Sequence, residues 1–242
     1  MYKHFIKRFL DCFFAILLLI PLLPIMLIIS IAIKLDSKGP VIFKQIRSGK
    51  NNKEFMLYKF RSMTANNDFY DKTKEDQLTK VGAFIRKTSL DELPQLFNIL
   101  KGEMSFIGPR PWVLDYAKYF TKNQMRRLEV LPGITGLAQC SGRNNLNILD
   151  RIEIDIKYVD NMNILMDIKI IFKTIISILK REGFSNNKSA IHEELKALEM
   201  QHKDMYKEEF MNKKKTKTAK SSSKKKEDKN REKEKVLVGS GV

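Results

Sequence analysis

Phe13-Phe-Ala-Ile-Leu-Leu-Leu-Ile-Pro-Leu-Leu-Pro-Ile-Met-Leu-Ile-Ile-Ser-Ile-Ala-Ile33 is a run of 21 residues without a charge, bounded by Asp11 and Lys34. At about 1.5 Å per residue, a straight helix of that length just crosses the hydrocarbon core of a bilayer. A cleaved signal peptide fits poorly: the apolar run is long, and Lys34 to Pro40 has no Ala-x-Ala site. Pro21 and Pro24 interrupt the run. Each removes a backbone donor and crowds the carbonyl four residues back, so a kink is predicted near the middle. Lys3, Lys7 and Arg8 precede the run, and Lys34, Lys38, Lys44, Arg47, Lys50 and Lys53 follow it. Cationic flanks stay on the cytoplasmic side, and here both flanks ask for the same side. A helix that enters, bends at the prolines and returns satisfies both. A single straight span with tolerated prolines satisfies only the stronger C-terminal flank. These residues alone leave both forms open.

The 242 residues suit one ordinary domain with appendages. With 45 Lys and Arg against 28 Asp and Glu, the formal charge of +17 fits an anionic partner: a membrane surface, a nucleic acid or a phosphorylated substrate. Cys12 and Cys140 exclude a disulfide-rich secreted fold and offer no zinc spacing. The mean hydropathy of -0.32 averages two extremes. One is the apolar run. The other is Met211 to Lys235, with 12 Lys and Arg against 4 Asp and Glu and no aromatic residue. Such a segment cannot bury enough surface to order itself. It reads as a solvated tail, with attraction to anionic lipid as the alternative. Val236 to Val242 looks like the first strand and glycine turn of a nucleotide-binding unit cut short, too little to use.

Between these ends, Val41 to Ile46 and Phe55 to Phe60 are β-rich runs with turn residues Ser48 to Asn52 between them, which predicts a hairpin. Asn66 to Thr79 is polar and loop-like. From Val81 the pattern turns helical through Leu90, Leu93, Phe97 and Leu100, and Gly102 ends it. Three of the seven prolines and five of the eleven glycines lie between Gly102 and Gly142, which makes this stretch turn-rich and a natural place for ligand contacts. Arg151 to Val159 fits either a strand or a helix. Ile164, Ile168, Ile171, Phe172, Ile175 and Leu179 form the stripe of an amphipathic helix capped by Gly183. The stripe faces either a core or, given Lys169, Lys173, Lys180 and Arg181 beside it, a lipid surface. Ile191, Leu195, Leu198 and Met205 predict a further short surface helix.

Asp91 and Glu92 are adjacent acids in Ser89-Leu-Asp-Glu-Leu-Pro94. Ser89 with Glu92 has the capping-box pattern, and acids are common in a first helical turn. A chemical reading stands beside that structural one. Pro94 is tolerated only in a first turn, so the acids belong at a helix N-terminus, where free N–H groups attract phosphate. Arg86 lies just upstream, and Gly108-Pro-Arg-Pro111 holds a guanidinium in the turn-rich stretch. A carboxylate can attack phosphorus or hold Mg²⁺ that bridges phosphate oxygens, and two acids together suit both tasks. Lys59 and Arg61 end the second β run, where either phosphate contact or a plain strand edge explains them. Asp155 and Asp167 are further acids, and His4, His192 and His202 lie outside the central domain, which argues against histidine chemistry there.

The ordered set of motifs resembles a family. After the proline-broken helix come Gly39-Pro-Val-Ile-Phe-Lys-Gln45, Tyr58-Lys-Phe-Arg-Ser-Met63 and Ser89-Leu-Asp-Glu-Leu-Pro-Gln-Leu-Phe-Asn98. Lys101-Gly-Glu-Met-Ser-Phe-Ile-Gly-Pro-Arg-Pro111 and Pro132-Gly-Ile-Thr-Gly-Leu-Ala-Gln139 follow. Together they are similar to the bacterial sugar transferases, the small monotopic phosphoglycosyl transferases. The resemblance is nearest to the N,N'-diacetylbacillosaminyl-1-phosphate transferase type of N-linked glycosylation. It implies an α+β, mainly helical fold with a re-entrant membrane helix-break-helix (1–34) and a catalytic domain (35–184) containing a β-hairpin and interfacial amphipathic helices; the helical then basic tail (185–242) is longer and more basic than the family pattern and carries no family motif. It implies transfer of a sugar-1-phosphate from a UDP-sugar to undecaprenyl phosphate with loss of UMP, dependent on Mg²⁺, as the first membrane step of glycoconjugate assembly. By similarity Asp91 is the nucleophile that forms a phosphosugar ester. Glu92 completes the dyad, and both acids hold the metal. Lys59, Arg86, Arg110, Pro111 and Asp155 match substrate-binding or metal-contact positions, and Pro21 and Pro24 form the membrane bend. The implied place is the bacterial inner membrane with both termini cytoplasmic. The expected partners are the two substrates and membrane lipid, with no nucleic acid, and the motifs carry no signal for an oligomeric state. A Ser-Pro pair common at the family's bend is Leu23-Pro24 here. Two other functions fit part of the pattern: a membrane-bound nucleotide-sugar hydrolase, and a non-enzymatic basic membrane tether.

Overall fold

A π-helical turn at Tyr2–Ile6 leads into α1 (Lys7–Asp36), a helix of 30 residues that runs through Pro21 and Pro24. The computed structural model describes residues 2–64, 78–141, 146–179 and 193–204. Most of the polar stretch 66–79, Gly142, the cap at Gly183, Ile191, Met205, the basic tail and the segment 236–242 lie outside the described residues. One face of α1 turns inward: Ala15, Leu19, Met26, Ile29 and Ile33 are buried and join a core with Leu57, Phe60, Ile85, Leu96, Ile99 and Met104. The opposite face is apolar and exposed, with Ile20, Leu27 and Ile28 each more than 60% accessible. An apolar surface of that extent marks contact with something other than water.

Both ends of α1 are bonded to the same body. Near its start, the Arg8 guanidinium donates to the carbonyls of Ile99 and Leu100, and Asp11 accepts from the Ser105 hydroxyl at 3.0 Å and the Phe106 N–H at 3.1 Å. At its far end, Arg61 donates to the carbonyls of Ser37 and Lys38 at 2.8 and 2.6 Å, and Asp36 accepts the Val81 N–H at 2.9 Å. These charged groups satisfy orphan backbone groups at helix termini, Arg8 at a C-terminus and Asp36 at an N-terminus, where each sign is favoured.

The expected hairpin forms from β1 (Ile42–Ser48) and β2 (Glu54–Phe60), antiparallel with Ile42 opposite Phe60 and Ser48 opposite Glu54. The helical pattern after Val81 is divided. α2 (Lys80–Lys87) is capped by the Thr79 side chain, which accepts from the Gly82 N–H. A 3₁₀ turn at Leu90–Glu92 follows, and then α3 (Gln95–Lys101), which ends at Gly102 with φ 83°. The division has a local cause: Pro94 cannot continue a helix from upstream, because its ring excludes the carbonyl four residues back.

β3 (Ser105–Ile107) pairs in parallel with β4 (Gly133–Thr135), on either side of α4 (Leu114–Ala117). The turns after these strands meet backbone to backbone. A Cβ on Gly133 would lie 2.1 Å from the Gly108 nitrogen, and one on Gly136 would lie 2.1 Å from the Gly108 carbonyl oxygen. The glycines of the two family-like motifs therefore serve one contact. After α5 (Leu137–Ser141), residues 148–161 resolve as a helix, α6 (Ile148–Asn161), whose start is capped by Asn147. α7 (Ile164–Leu179) buries Ile170, whereas Ile168, Ile171, Phe172 and Ile175 of the expected stripe are exposed, which rules out the core-facing reading of that stripe. Residues 193–204 are helical. Within 193–198, Leu195 and Leu198 pack in a cluster with Trp112, Tyr116, Ile148 and Ile152, and Glu194 accepts the Tyr116 hydroxyl at 2.8 Å. Leu198 thus belongs to the same compact unit as the preceding elements. The described part is mainly helical with two two-stranded sheets, an α+β arrangement.

The contact between the two turns has a measurable consequence. Gly133→Ala should destabilise the protein by about 1–3 kcal/mol, because the added methyl meets rigid backbone on two sides. Denaturant unfolding of the detergent-solubilised chain checks this, and an unchanged midpoint would contradict the packing.

Candidate active site

The two acids sit in the short 3₁₀ turn between α2 and α3, with Pro94 at the start of α3. The capping box expected from Ser89 and Glu92 does not form. Ser89 takes the left-handed conformation (φ 57°) and makes no side-chain cap, and only its carbonyl accepts the Glu92 N–H at 3.3 Å. A left-handed serine costs roughly 1–3 kcal/mol and persists only where its surroundings impose it, commonly at functional sites. Here it swings the acids off the helix axis and toward the hairpin, where β2 presents Lys59.

Lys59 donates to Glu92 Oε1 at 2.6 Å, and Arg110 Nη2 lies 3.6 Å from the same oxygen. Burial alone would raise Glu92, but Lys59 and Arg110 overcome it, helped by a hydrogen bond from Gln95, and hold the group down to about 2. Asp91, next in the chain and buried, behaves oppositely. Desolvation raises it above the usual aspartate range, against the opposing pull of Lys59, and the neighbouring Glu92 charge raises it further. Two adjacent carboxylates are thus driven apart: one is a fixed anion locked in an ion pair, the other a poorly solvated and more basic anion. Such a split is how a paired site assigns different tasks to like groups. Arg86, at the end of α2, and Arg110 add further positive potential at Asp91.

A shallow, open cleft lies against Glu92, walled by Lys59, Gln95, Arg110 and Pro111 and by Arg47 from β1; Asp91 and Arg86 are not among the residues that line it. Arg47 and Gln95 were not expected here. Arg47 had a signal, since period-two alternation puts it on the same strand face as Gln45 of the first motif. In the fold it donates to Gln45 Oε1 at 2.6 Å and to the Pro111 carbonyl at 3.4 Å. Gln95 is buried at the first position of α3.

The segment that carries Arg110 is held by three consecutive carbonyls. That of Arg110 accepts from Arg127 at 2.9 Å, that of Pro111 from Arg47, and that of Trp112 from the Ser48 N–H at 3.0 Å. The half-exposed Arg110 guanidinium therefore projects from a fixed backbone. Asp155 is placed differently from the other expected site residues. It is buried on α6 and paired with Arg127 at 2.7 Å, and it does not line the cleft.

Among the described residues no group of three or more His, Cys, Asp or Glu side chains could hold a metal. The donor set that is present, two adjacent carboxylates beside a cleft, fits Mg²⁺ in the mode that uses one or two protein carboxylates, waters and substrate phosphates.

The chain matches the model of the bacterial sugar transferase family over residues 2–181. It is 46% identical over 180 residues to the uncharacterized sugar transferase EpsL of Bacillus subtilis, a match covering 74% of this chain and 89% of that one. It is also 46% identical over 192 residues to the UDP-glucose:undecaprenyl-phosphate glucose-1-phosphate transferase of Klebsiella pneumoniae, covering 74% of this chain and 40% of that one. With the undecaprenyl-phosphate galactose phosphotransferase of Salmonella typhimurium it shares 42% identity over 202 residues, 75% of this chain and 42% of the relative. The chain thus spans most of the Bacillus protein and about two-fifths of the other two. With the family match running through every element that walls the cleft, the chain belongs to the bacterial sugar transferases.

Proposed function

We propose that this chain transfers a sugar-1-phosphate from a UDP-sugar to undecaprenyl phosphate, releasing UMP, through an ester on Asp91. The observation that carries this reading is the divided carboxylate pair: a basic, desolvated Asp91 beside a Glu92 kept anionic by Lys59 and Arg110. The names of the Klebsiella and Salmonella relatives support the reaction class, and since they cite different sugars the donor is proposed only as a UDP-sugar.

In the first half-reaction an Asp91 oxygen attacks the sugar-linked phosphorus, and the bond to the bridging oxygen breaks. UMP departs with that oxygen and its electron pair. Lys59, Arg110 and Arg86 face the charge that develops on the phosphates, where prearranged cations are most effective. Glu92, already neutralised by Lys59, stays ionised and keeps the lysine aimed into the cleft. In the second half-reaction an oxygen of undecaprenyl phosphate attacks the same phosphorus, and the Asp91 carboxylate is released unchanged. Asp91 and Glu92 would hold Mg²⁺ together with the donor phosphates, and the ion would supply Lewis-acid neutralisation of phosphate charge.

The lipid acceptor carries its phosphate at the membrane interface. The exposed apolar faces of α1 and α7 support a seat in one leaflet. What favours re-entry over a straight span is that both ends of α1 are bonded to the same catalytic body, Arg8 to α3 and Ser37 to Arg61. We place the protein at the bacterial inner membrane with both termini cytoplasmic. An N-terminal tag labelled from outside intact cells would refute that placement.

Asp91→Asn should lose on the order of a thousandfold or more in turnover. The wild-type chain mixed with UDP-sugar and Mg²⁺ should gain the mass of a hexose phosphate and release UMP in a burst. Sustained UMP release without lipid acceptor would instead identify a hydrolase. The pH dependence follows from the direction of the Asp91 shift. Asp91 must be ionised to attack, so kcat/KM should fall as pH drops through a pKa above the ordinary aspartate range. Lys59→Met removes the main opposing influence, which should move that acidic limb to higher pH. A limb unmoved in this variant would assign the titration to another group.

A further inference from the structure

We propose that Arg127 and Asp155 are a positioning pair that sets the Arg110 guanidinium in the cleft. The inference rests on the reading above, in which Arg110 acts on the donor phosphates. Arg127 comes from the 3₁₀ turn at Gln124–Leu128 and Asp155 from the middle of α6, 28 residues on. Their side chains are 1% and 3% exposed, and neither lines the cleft that holds Lys59 and Glu92.

Arg127 is satisfied on several sides at once. Nε and Nη2 donate to one oxygen of Asp155 at 3.1 and 2.7 Å, and Nη2 also donates to the Arg110 carbonyl at 2.9 Å. The guanidinium carbon lies 3.8 Å from the centre of the Trp112 ring, with the Phe120 ring beyond at 5.9 Å. One planar group thus fixes the peptide of Arg110 and the side chain two residues later. A buried ion pair adds little net stability compared with apolar packing of equal volume, because both charges lose their hydration. What it adds here is direction. A planar fork aimed by a carboxylate can meet the carbonyl of residue 110 from only one side. The peptide so held is the one whose side chain reaches Glu92.

Other features belong to sites already described. The exposed face of α7 and the cation Arg47 extend the membrane seat and the cleft. The Tyr2, Lys7 and Tyr158 bonds to Asp167 tie the start of α1 to α6 and α7 and face no cleft.

The test uses the full chain in detergent or vesicles, with UMP release as the assay. The variants are Arg110→Ala, the apolar pair Arg127→Met/Asp155→Leu, and the two combined. Replacing both charges by packed apolar groups preserves folding in the general case, so a purely structural pair would keep full activity. The expected result is a melting temperature near wild type with kcat/KM lowered on the order of a hundredfold, the scale of a misplacement of about 1 Å. In the Arg110→Ala background the apolar pair should add no further loss, since a positioning pair has nothing left to position. Should the apolar pair not fold, Arg127→Lys carries the same comparison. It keeps the charge beside Asp155 and loses the fork. Fluorescence from Trp112, the only tryptophan, reports whether the stacking on residue 127 is lost. Full activity in the stable apolar pair, or losses that add to those of Arg110→Ala, would overturn the proposal and leave the transferase reading standing. A wild-type chain that releases no UMP with donor and lipid present would remove both.

Discussion

Lys59 meets Glu92 at 2.6 Å across the join between the hairpin and the acidic turn, and the character of the site follows from that contact. Without it, two neighbouring carboxylates half removed from water would repel and compete for one proton, and neither would be a dependable anion. With it, Lys59 and Arg110 outweigh the desolvation of Glu92 and hold it low, whereas at Asp91 desolvation outweighs the same cations. A buried aspartate raised in this way is a stronger nucleophile toward phosphorus than a solvated one, and the cations needed to keep it ionised are the ones a diphosphate would meet. The proposed chemistry therefore uses the same few charges for ground-state control and for binding.

The contact depends in turn on α1. This helix gives one apolar face to the core and leaves the other exposed, and it is tied down at both ends by ionic groups: Arg8 and Asp11 near its start, Asp36 and Arg61 near its end. Its inward face supports both β2, which carries Lys59, and α3, which begins directly after the acids. A helix with one exposed apolar face and the Lys59–Glu92 ion pair are thus parts of one packed unit. That coupling suits an enzyme whose soluble and lipid-borne reactants meet at the depth of the headgroups.

A third constraint lies in the turns after β3 and β4. The approach of Gly108 to Gly133 and Gly136 leaves no space for a side chain, and the adjoining carbonyls of residues 110 to 112 are each bonded to a separate partner. Arg110 is the flexible end of a rigid mount. Long side chains lose entropy when fixed, so a functional arginine on a loop is effective only if its backbone is already held.

Much of this was legible in the residues themselves. The hairpin, the end of α3 at Gly102 and the apolar N-terminal helix follow from alternation and turn chemistry, which act over a few positions, whereas the acidic pair was assigned through the motifs' resemblance to a family. Other features depended on partners far along the chain. Ser89 has the pattern of a cap yet adopts a left-handed backbone and makes no side-chain cap. The stripe on α7 has the period of a core helix, but period says only that a helix has two faces and not which of them is covered. That Asp155 is buried and paired with a guanidinium 28 residues away could not be read from its neighbours in the chain. Glu92 becomes the fixed anion through a lysine 33 residues upstream. Sequence alone determined which groups could do the chemistry and which elements would carry them. The tertiary structure decided which carboxylate is paired with a lysine, which helix faces stay exposed and which guanidinium holds the Arg110 carbonyl, because charge and burial depend on distance in space.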